Sequence, residues 1–238
     1  PRGWTGDGII ARISTLGMAK HLRQASVPTV NVSGIALPGV DLPRVTSDHL
    51  ATVRVALDHF GDRGIHRVGY IGLPRRSYSL LRQRLFEEEC DRREIACHVY
   101  HPLGGKGNTI WERQRSAMEA WLESLPKPIG ILTWGIKRGV EAIDAAVRCK
   151  LRVPDDVAVL AGDDDDLLCR AVRPTLSGII VPAEQIGHDA ARMLDQLIHK
   201  RRPEDLAVCL APTGIAERNS TDVLAMDDVD VVAAVRFI

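Results

Sequence analysis

Four consecutive carboxylates, Asp163–Asp166, are the residues of this chain whose type and spacing could most readily do chemistry. They follow Val157–Ala161 and Gly162, an apolar run that predicts a strand buried on both faces, as in a parallel sheet. Ligands of open α/β sheets bind beyond the carboxyl ends of the strands, so this acidic turn (residues 163–166) is placed where a ligand site is expected. Two other roles stay open: one aspartate caps a short helix opening at Leu167, and the others are solvated.

Other patterns that could carry chemistry are weaker. The glycine-rich loop 104–109 superficially resembles a phosphate cradle, but it lacks the Lys-Ser/Thr pair and the strand-to-helix order of a P-loop. The five cysteines form no C-x-x-C pair and the eight histidines are scattered, so neither set predicts a metal site. We expect no cofactor and no bound metal. The cysteines are expected to be reduced, structural thiols: Cys90, Cys97, Cys149, Cys169 and Cys209.

The elements that position the acidic turn alternate along the chain. Apolar runs separated by stretches of helical periodicity predict a mostly parallel, doubly wound α/β fold. Within the helix after residue 79, Glu87–Glu89 are expected on the solvated side. Strands are predicted over 8–13, 27–32, 67–71, 95–101, 129–133, 157–161, 175–181 and 206–211, and helices over 18–24, 49–63, 79–93, 111–125, 137–150, 167–171 and 183–200.

Composition narrows the class of protein. The chain has 238 residues, 45% of them hydrophobic, which is ample for real cores. Its 31 basic and 31 acidic residues cancel, so nothing suggests that this chain alone forms a nucleic-acid or bilayer surface. No apolar run is long enough for a transmembrane helix, and the start lacks the pattern of a signal peptide, so we expect a cytoplasmic protein. A start at Pro1 also suggests a fragment of something longer.

Four stretches together resemble the effector domain of the xylose operon regulator family, whose members carry an AraC-type helix-turn-helix domain after it. They are residues 3–13 (GWTGDGIIARI), 27–34 (VPTVNVSG), 173–177 (RPTLS) and 217–222 (ERNSTD), and they occur in the family's order. Together the resemblance covers essentially the whole chain. It implies a type I periplasmic-binding-protein (LacI-like) fold of two lobes with doubly wound parallel sheets.

The resemblance also implies a division into lobes. Residues 1–49 and 181–203 would form the first lobe, and residues 50–180 and 204–218 the second. Residues 219–238 would be a linker to a DNA-binding domain outside this chain. In the family a strand, a helix and another strand precede the stretch around Trp4, so the first lobe is expected to be incomplete. A sugar held in the cleft, xylose or a related pentose, would shift lobe closure and so control DNA binding, and the protein is expected to be a homodimer.

The resemblance implies three ligand-binding residues, and Trp134 is a fourth candidate that rests on its aromatic side chain alone. Asp163 stands where the LacI-type fold has a sugar-contacting aspartate, and Asp48 where it has an aspartate at a lobe crossing; each could instead cap a helix. Arg82 fits the family's ligand-facing arginine in Ser79-Leu80-Leu81-Arg82, and a solvated helix arginine is the alternative. Trp134 could stack on a sugar ring or pack within the second lobe.

One departure from the family concerns the ligand. Gly135-Ile136 stands where the family has Asn-Asp before the Arg-Gly pair, which is kept as Arg138-Gly139. Two hydrogen-bonding side chains are therefore missing, and another pentose, another small polyol or a weakened site would all be compatible with this sequence.

The sequence leaves two other classes of function open. An Mg²⁺-dependent hydrolase or phosphotransferase could use the acidic turn, but no Gly-x-Ser-x-Gly elbow or Walker motif accompanies it. A pure dimerisation scaffold is the third possibility, since LacI-like sensors pair through their lobe surfaces. We expect a sensor and not an enzyme.

Overall fold

The computed structural model describes residues 5–35, 37–73, 77–101 and 109–223, and of residues 77–78 and 109–111 only the backbone. Three predicted features lie at least partly outside this range. They are the start of the stretch around Trp4, most of the glycine-rich loop 104–109, and residues 224–238 of the predicted linker. None of the helices in the described part is long and apolar enough to cross a membrane.

Strands and helices alternate along most of the chain. The strands are β1 (Ile9–Ala11), β2 (Thr29–Asn31), β3 (Arg44–Ser47), β4 (Arg67–Ile71), β5 (Ala96–Tyr100), β6 (Ile129–Thr133), β7 (Val157–Ala161), β8 (Ser177–Ile180), β9 (Ala207–Leu210) and β10 (Gly214–Ala216). The helices are α1 (Leu16–Arg23), α2 (His49–Gly61), α3 (Ser77–Arg92), α4 (Thr109–Ser124), α5 (Ile136–Arg148), α6 (Asp166–Arg170) and α7 (Ala183–Ile198).

The described residues within 5–51 and 181–213 form one compact unit, called unit 1. Its sheet has the order β1-β2-β3-β9 and all its strand pairs are parallel. Helix α7 packs on this sheet, because its apolar stripe supplies Ala190 and Met193 to a core with Val30 and Val45.

The described residues within 52–180 and 214–223 form the second compact unit, called unit 2. Its sheet has the order β10-β8-β7-β6-β4-β5, and every pair is parallel except β10 with β8. The central strands β6 and β7 are buried along their whole length, as strands covered on both faces must be. Two apolar clusters fill the unit, one including Ile131, Val159 and Ile143, the other including Leu132, Leu160 and Phe60.

The boundary of unit 1 differs from the sequence-based expectation that residues 204–218 join the second lobe. Strand β9 pairs in parallel with β3, from Arg44 opposite Ala207 to Ser47 opposite Leu210. Residues up to 213 therefore lie with unit 1, and only residues from Gly214 onward lie with unit 2.

The predicted doubly wound α/β fold is confirmed, with three differences of detail. Strands β3 and β10 were not predicted, because each is short and lacks a long apolar run. The expectation that Glu89 is solvated is wrong: its side chain is 3% exposed and pairs with Arg92 and Arg93. These arginine hydrogen bonds hold the pKa of Glu89 low, at about 2.

Candidate functional site

Arg82 lies on α3, the helix that follows β4, and is buried with 4% of its surface exposed. Its Nη1 donates to the carbonyl oxygen of Trp134 at 3.0 Å and to that of Gly162 at 3.4 Å. Burial lowers the pKa of Arg82, while the nearby Tyr70 and Asp163 oppose that shift. The alternative of a solvated helix arginine is therefore wrong, and a fixed guanidinium stands at the carboxyl ends of the strands.

Trp134 follows β6 directly and is half-buried. The Arg82 guanidinium carbon lies 4.2 Å from the centre of the indole ring, which is cation–π geometry. The indole therefore covers one face of the guanidinium, and the Trp134 carbonyl engages its edge. The structure shows packing within unit 2, one of the two roles left open for Trp134, and stacking on a sugar ring stays a prediction.

Asp163 follows β7 and is solvent-exposed. Its Oδ1 accepts from the backbone N–H of Ile136 at 2.8 Å, and Ile136 is the first residue of α5. Asp163 thus caps the helix after β6, since Gly135 at the N-cap position has no side chain to do so. A Cβ atom on Gly135 would lie 2.8 Å from Asp163 Oδ1, so the absence of the side chain makes this approach possible.

The other three aspartates of the acidic turn bind two arginines and a helix start. Asp164 accepts from Arg218 at 2.7 Å, and Asp166 accepts from Arg218 at 3.0 Å and from Arg170 at 2.6 Å. The arginine hydrogen bonds, that of Arg170 first, lower the pKa of Asp166. Asp165 caps α6 by accepting from Leu168 N at 3.0 Å. The predicted cap of a short helix is present here, one residue earlier than expected.

This distribution does not favour the Mg²⁺ chemistry considered as an alternative. A hard cation needs several carboxylate oxygens turned to one point, whereas these four carboxylates accept from two helix starts and two arginines. Within residues 5–35, 37–73, 77–101 and 109–223, no group of three or more His, Cys, Asp or Glu residues could hold a metal ion.

Asp48 lies in unit 1, between β3 and α2. Its Oδ1 accepts from Leu50 N at 2.8 Å and from Ala51 N at 3.0 Å, which is N-capping of α2. The capping role considered for Asp48 is present, and its role toward a ligand stays a prediction.

The structure therefore brings Arg82, Trp134 and Asp163 together within unit 2, after three strands that are neighbours in the order β7-β6-β4. Parallel strands end at the same edge, which is why residues so distant in sequence meet.

Two residues important to this arrangement were not predicted from the sequence. A Cβ atom on Gly162 would lie 2.7 Å from the Trp134 carbonyl oxygen and 2.8 Å from that of Thr133, so only glycine leaves room for Arg82 there. Arg218 pairs with the acidic turn from 54 residues away. The glycine before the acids was a local signal that could have been used, whereas nothing near Arg218 indicated its partners.

Comparison with known proteins gives three consistent findings. The model of the periplasmic binding protein-like domain matches residues 57–221. The xylose operon regulatory proteins of Escherichia coli K12 and Haemophilus influenzae are each 26% identical to this chain, over 100% and 98% of its length. The structure of a xylose-binding transcription activator superposes with a TM-score of 0.84 at 25% identity, over 99% of this chain.

These findings confirm the resemblance to xylose operon regulators and the LacI-like, periplasmic-binding-protein type of fold. The relatives are regulatory proteins and not enzymes. The chain spans 62% and 61% of the lengths of the two regulatory proteins and 63% of the activator structure.

Proposed function

Because this chain belongs to the periplasmic binding protein-like domain family, we propose that it is the sugar-sensing effector domain of a transcriptional regulator of pentose catabolism. The observation that carries the proposal is the meeting of Arg82, Trp134 and Asp163 after three neighbouring strands of unit 2. A guanidinium, a carboxylate and an aromatic face are the groups with which proteins bind a polyol.

Each group has a defined task in this proposal. Arg82 donates hydrogen bonds to ring or hydroxyl oxygens, and its burial keeps the guanidinium in one orientation. Asp163 accepts from a pair of hydroxyls and is exposed enough to be reached by a sugar. Trp134 offers its indole to the C–H face of the ring. Asp48 would add a carboxylate from unit 1.

The signal in this proposal is a difference of affinity. A sugar that contacts residues of both units favours the arrangement of the units in which all its contacts form, and only that preference shifts the population. Relatives that are named as xylose operon regulatory proteins support a pentose. The place of DNA binding, in an AraC-type domain outside this chain, is part of the proposal and follows only from the resemblance of the sequence. Homodimerisation is part of the same proposal for the whole protein.

The choice of sugar depends on the residues after β6. Gly135 and Ile136 provide no polar side chain, so hydrogen bonding from this turn is limited to the backbone and to Asp163. We therefore propose that the ligand is a pentose or another small polyol that needs few hydrogen bonds from this turn.

Isothermal titration of this chain, and of the whole protein that contains it, with a panel of aldopentoses and pentitols tests the proposal. We expect at least one member to bind with a Kd below about 1 mM, which is an affinity of about 4 kcal/mol. Arg82→Met is expected to weaken that binding at least tenfold, because a buried donor group is lost.

Arg84→Met is the matched control, because Arg84 lies on the same helix, is two-thirds exposed and pairs with the neighbouring surface residue Glu88. It should bind as the wild type does. If neither this chain nor the whole protein bound any sugar of the panel, the sugar-sensing proposal would be excluded.

A further inference from the structure

The segment Glu217–Thr221, called the tether, is built into the sheet of unit 2. Strands β7 and β8 pair only through Leu160 with Ser177 and Ala161 with Gly178, and the tether lies beside them before that point. Val159 N donates to the Ser220 carbonyl oxygen at 2.8 Å, and Ser220 N donates to the Thr175 carbonyl oxygen at 2.9 Å. Ser220 and Thr221 are completely buried. The C-terminal end of the tether, Ser220 and Thr221, is therefore part of the core, whereas Glu217 and Asn219 lie at the surface.

The side chain of Arg218 connects the tether to the acidic turn by hydrogen bonds. Its side chain is 8% exposed, Nη1 donates to Asp164 at 2.7 Å and to the Leu176 carbonyl oxygen at 2.9 Å, and Nη2 donates to Asp166 at 3.0 Å. A guanidinium with acceptors on both terminal nitrogens is fixed in orientation as well as in position.

The same tether is fastened at its ends to α2 and the residues after it. Thr221 Oγ1 lies 2.9 Å from His59 Nε2, and Arg63 Nε donates to the Thr221 carbonyl oxygen at 2.9 Å. Arg63 Nη2 also pairs with Glu217 at 2.7 Å. Thr221 therefore cannot follow a movement of Arg218 without disturbing buried hydrogen bonds, and Glu217 cannot follow it without disturbing its ion pair with Arg63.

The acidic turn has little freedom to absorb such a movement. A Cβ atom on Gly178 would lie 2.6 Å from the Asp163 carbonyl oxygen and 2.7 Å from Asp164 Oδ1, so the turn packs directly on β8. Asp163 and Asp164 share a planar peptide unit, and a displacement of one is passed to the other.

We propose that Arg218 is a positioning residue for the acidic turn, so that the place of Asp163 and the state of the tether are coupled. If the turn binds a sugar, as proposed above, this coupling is reciprocal. A sugar that displaces Asp163 then alters the position of the tether, and a displaced tether alters the affinity for the sugar. The tether lies near the C-terminal end of the described residues, so the coupling connects the acidic turn with that end of unit 2.

Amide hydrogen exchange in the 238-residue chain tests the positioning role without any ligand. The Ile136 amide, which donates to Asp163, reports where Asp163 lies. In Arg218→Met and in the milder Asp164→Asn, we expect this amide to exchange about tenfold faster. The Ala51 amide, which donates to Asp48, should not change.

Arg170→Met is the matched control, because Arg170 pairs with Asp166 at 2.6 Å but does not reach the tether. It should leave exchange at Ile136 unchanged. An unchanged Ile136 amide in Arg218→Met and Asp164→Asn would overturn the proposal, and so would an equal acceleration in the Arg170→Met control.

The coupling to a sugar is read separately, with the aldopentose that binds the wild type. We expect that sugar to alter amide exchange at Ser220 and Thr221 in the wild type but not in Asp164→Asn, and the Kd to rise about tenfold in that variant. Failure of every sugar to bind would remove the proposed function, while the exchange of Ile136 would still decide the role of Arg218.

Discussion

The Arg82 guanidinium stacks on the Trp134 indole, with its central carbon 4.2 Å from the ring centre, while Nη1 donates to the carbonyl oxygen of the same residue at 3.0 Å. One residue thus holds Arg82 both by its side chain and by its backbone. A substitution of Trp134 removes the first contact and leaves the second.

Replacing Trp134 with alanine should therefore weaken sugar binding without unfolding unit 2. A cation–π contact is worth about 0.5–2 kcal/mol, so we expect the Kd for the bound aldopentose to rise about 2- to 30-fold. Trp134→Phe should recover part of the loss. Isothermal titration measures both, and Trp121→Phe on α4 is the control that should bind normally. Wild-type affinity in Trp134→Ala would contradict the role of the indole.

Gly162→Ala should disturb the position of the Arg82 guanidinium, which donates to the carbonyl oxygens of Trp134 and Gly162. The added Cβ would press on the carbonyl oxygens of Thr133 and Trp134, which are backbone atoms at the ends of packed strands. We expect a loss of about 1–3 kcal/mol in the free energy of unfolding, measured in urea, and weaker sugar binding. Gly187→Ala is the control, because a Cβ added at Gly187 would meet no described atom within 4 Å beyond its own helix backbone. Alanine at this place in helix α7 should raise the free energy of unfolding by at most about 1 kcal/mol.

Two substitutions of Asp163 should distinguish its role as a helix cap from its proposed role as a ligand contact. Asp163→Ala loses the cap of α5 and should cost about 1 kcal/mol in the free energy of unfolding, whereas Asp163→Asn keeps a capping oxygen and should cost little. Both should lose sugar affinity, because the carboxylate is gone. Asp165→Ala removes the cap of α6 and should lower stability but spare affinity. Unaltered sugar binding in Asp163→Asn would exclude Asp163 as a contact.

Stability should fall in mild acid because of His59. Burial first, and then the Arg63 charge, lower the pKa of His59 from 6.5 to about 4, against the opposing charges of Glu217 and Asp62. The unfolded chain then binds the proton more readily than the folded chain, so this contribution is fully present above pH 6.5 and is lost as the pH falls toward 4.

Urea titrations at several pH values between 7 and 4.5 measure this loss, which we expect to be about 2–3 kcal/mol for the wild type. His59→Gln keeps a group that can hydrogen-bond Thr221 but does not titrate, and its stability should vary much less over the same range. Identical pH dependence in the two proteins would show that His59 is not the group responsible.

Much of the fold follows from local patterns. The apolar run Val157–Ala161 bounded by Gly162 predicted a buried parallel strand with a turn at its carboxyl end, and the structure places β7 over the same residues. The pairing of β9 with β3, which assigns residues 204–213 to unit 1, had no such signal, because strand pairing depends on contacts between segments more than 160 residues apart.

The sequence by itself determined the alternation of strands and helices and the edge of the sheet at which polar groups collect, because burial periodicity is a local property. Only the tertiary structure decided which partner each polar group has. Glu89 belongs to a triplet of acids that looks solvated, yet packing buries it against arginines. Asp163 caps a helix 27 residues earlier, and Arg218 reaches Asp164 from 54 residues later. These choices depend on which strand ends are neighbours in space, and spacing along the chain does not contain that information.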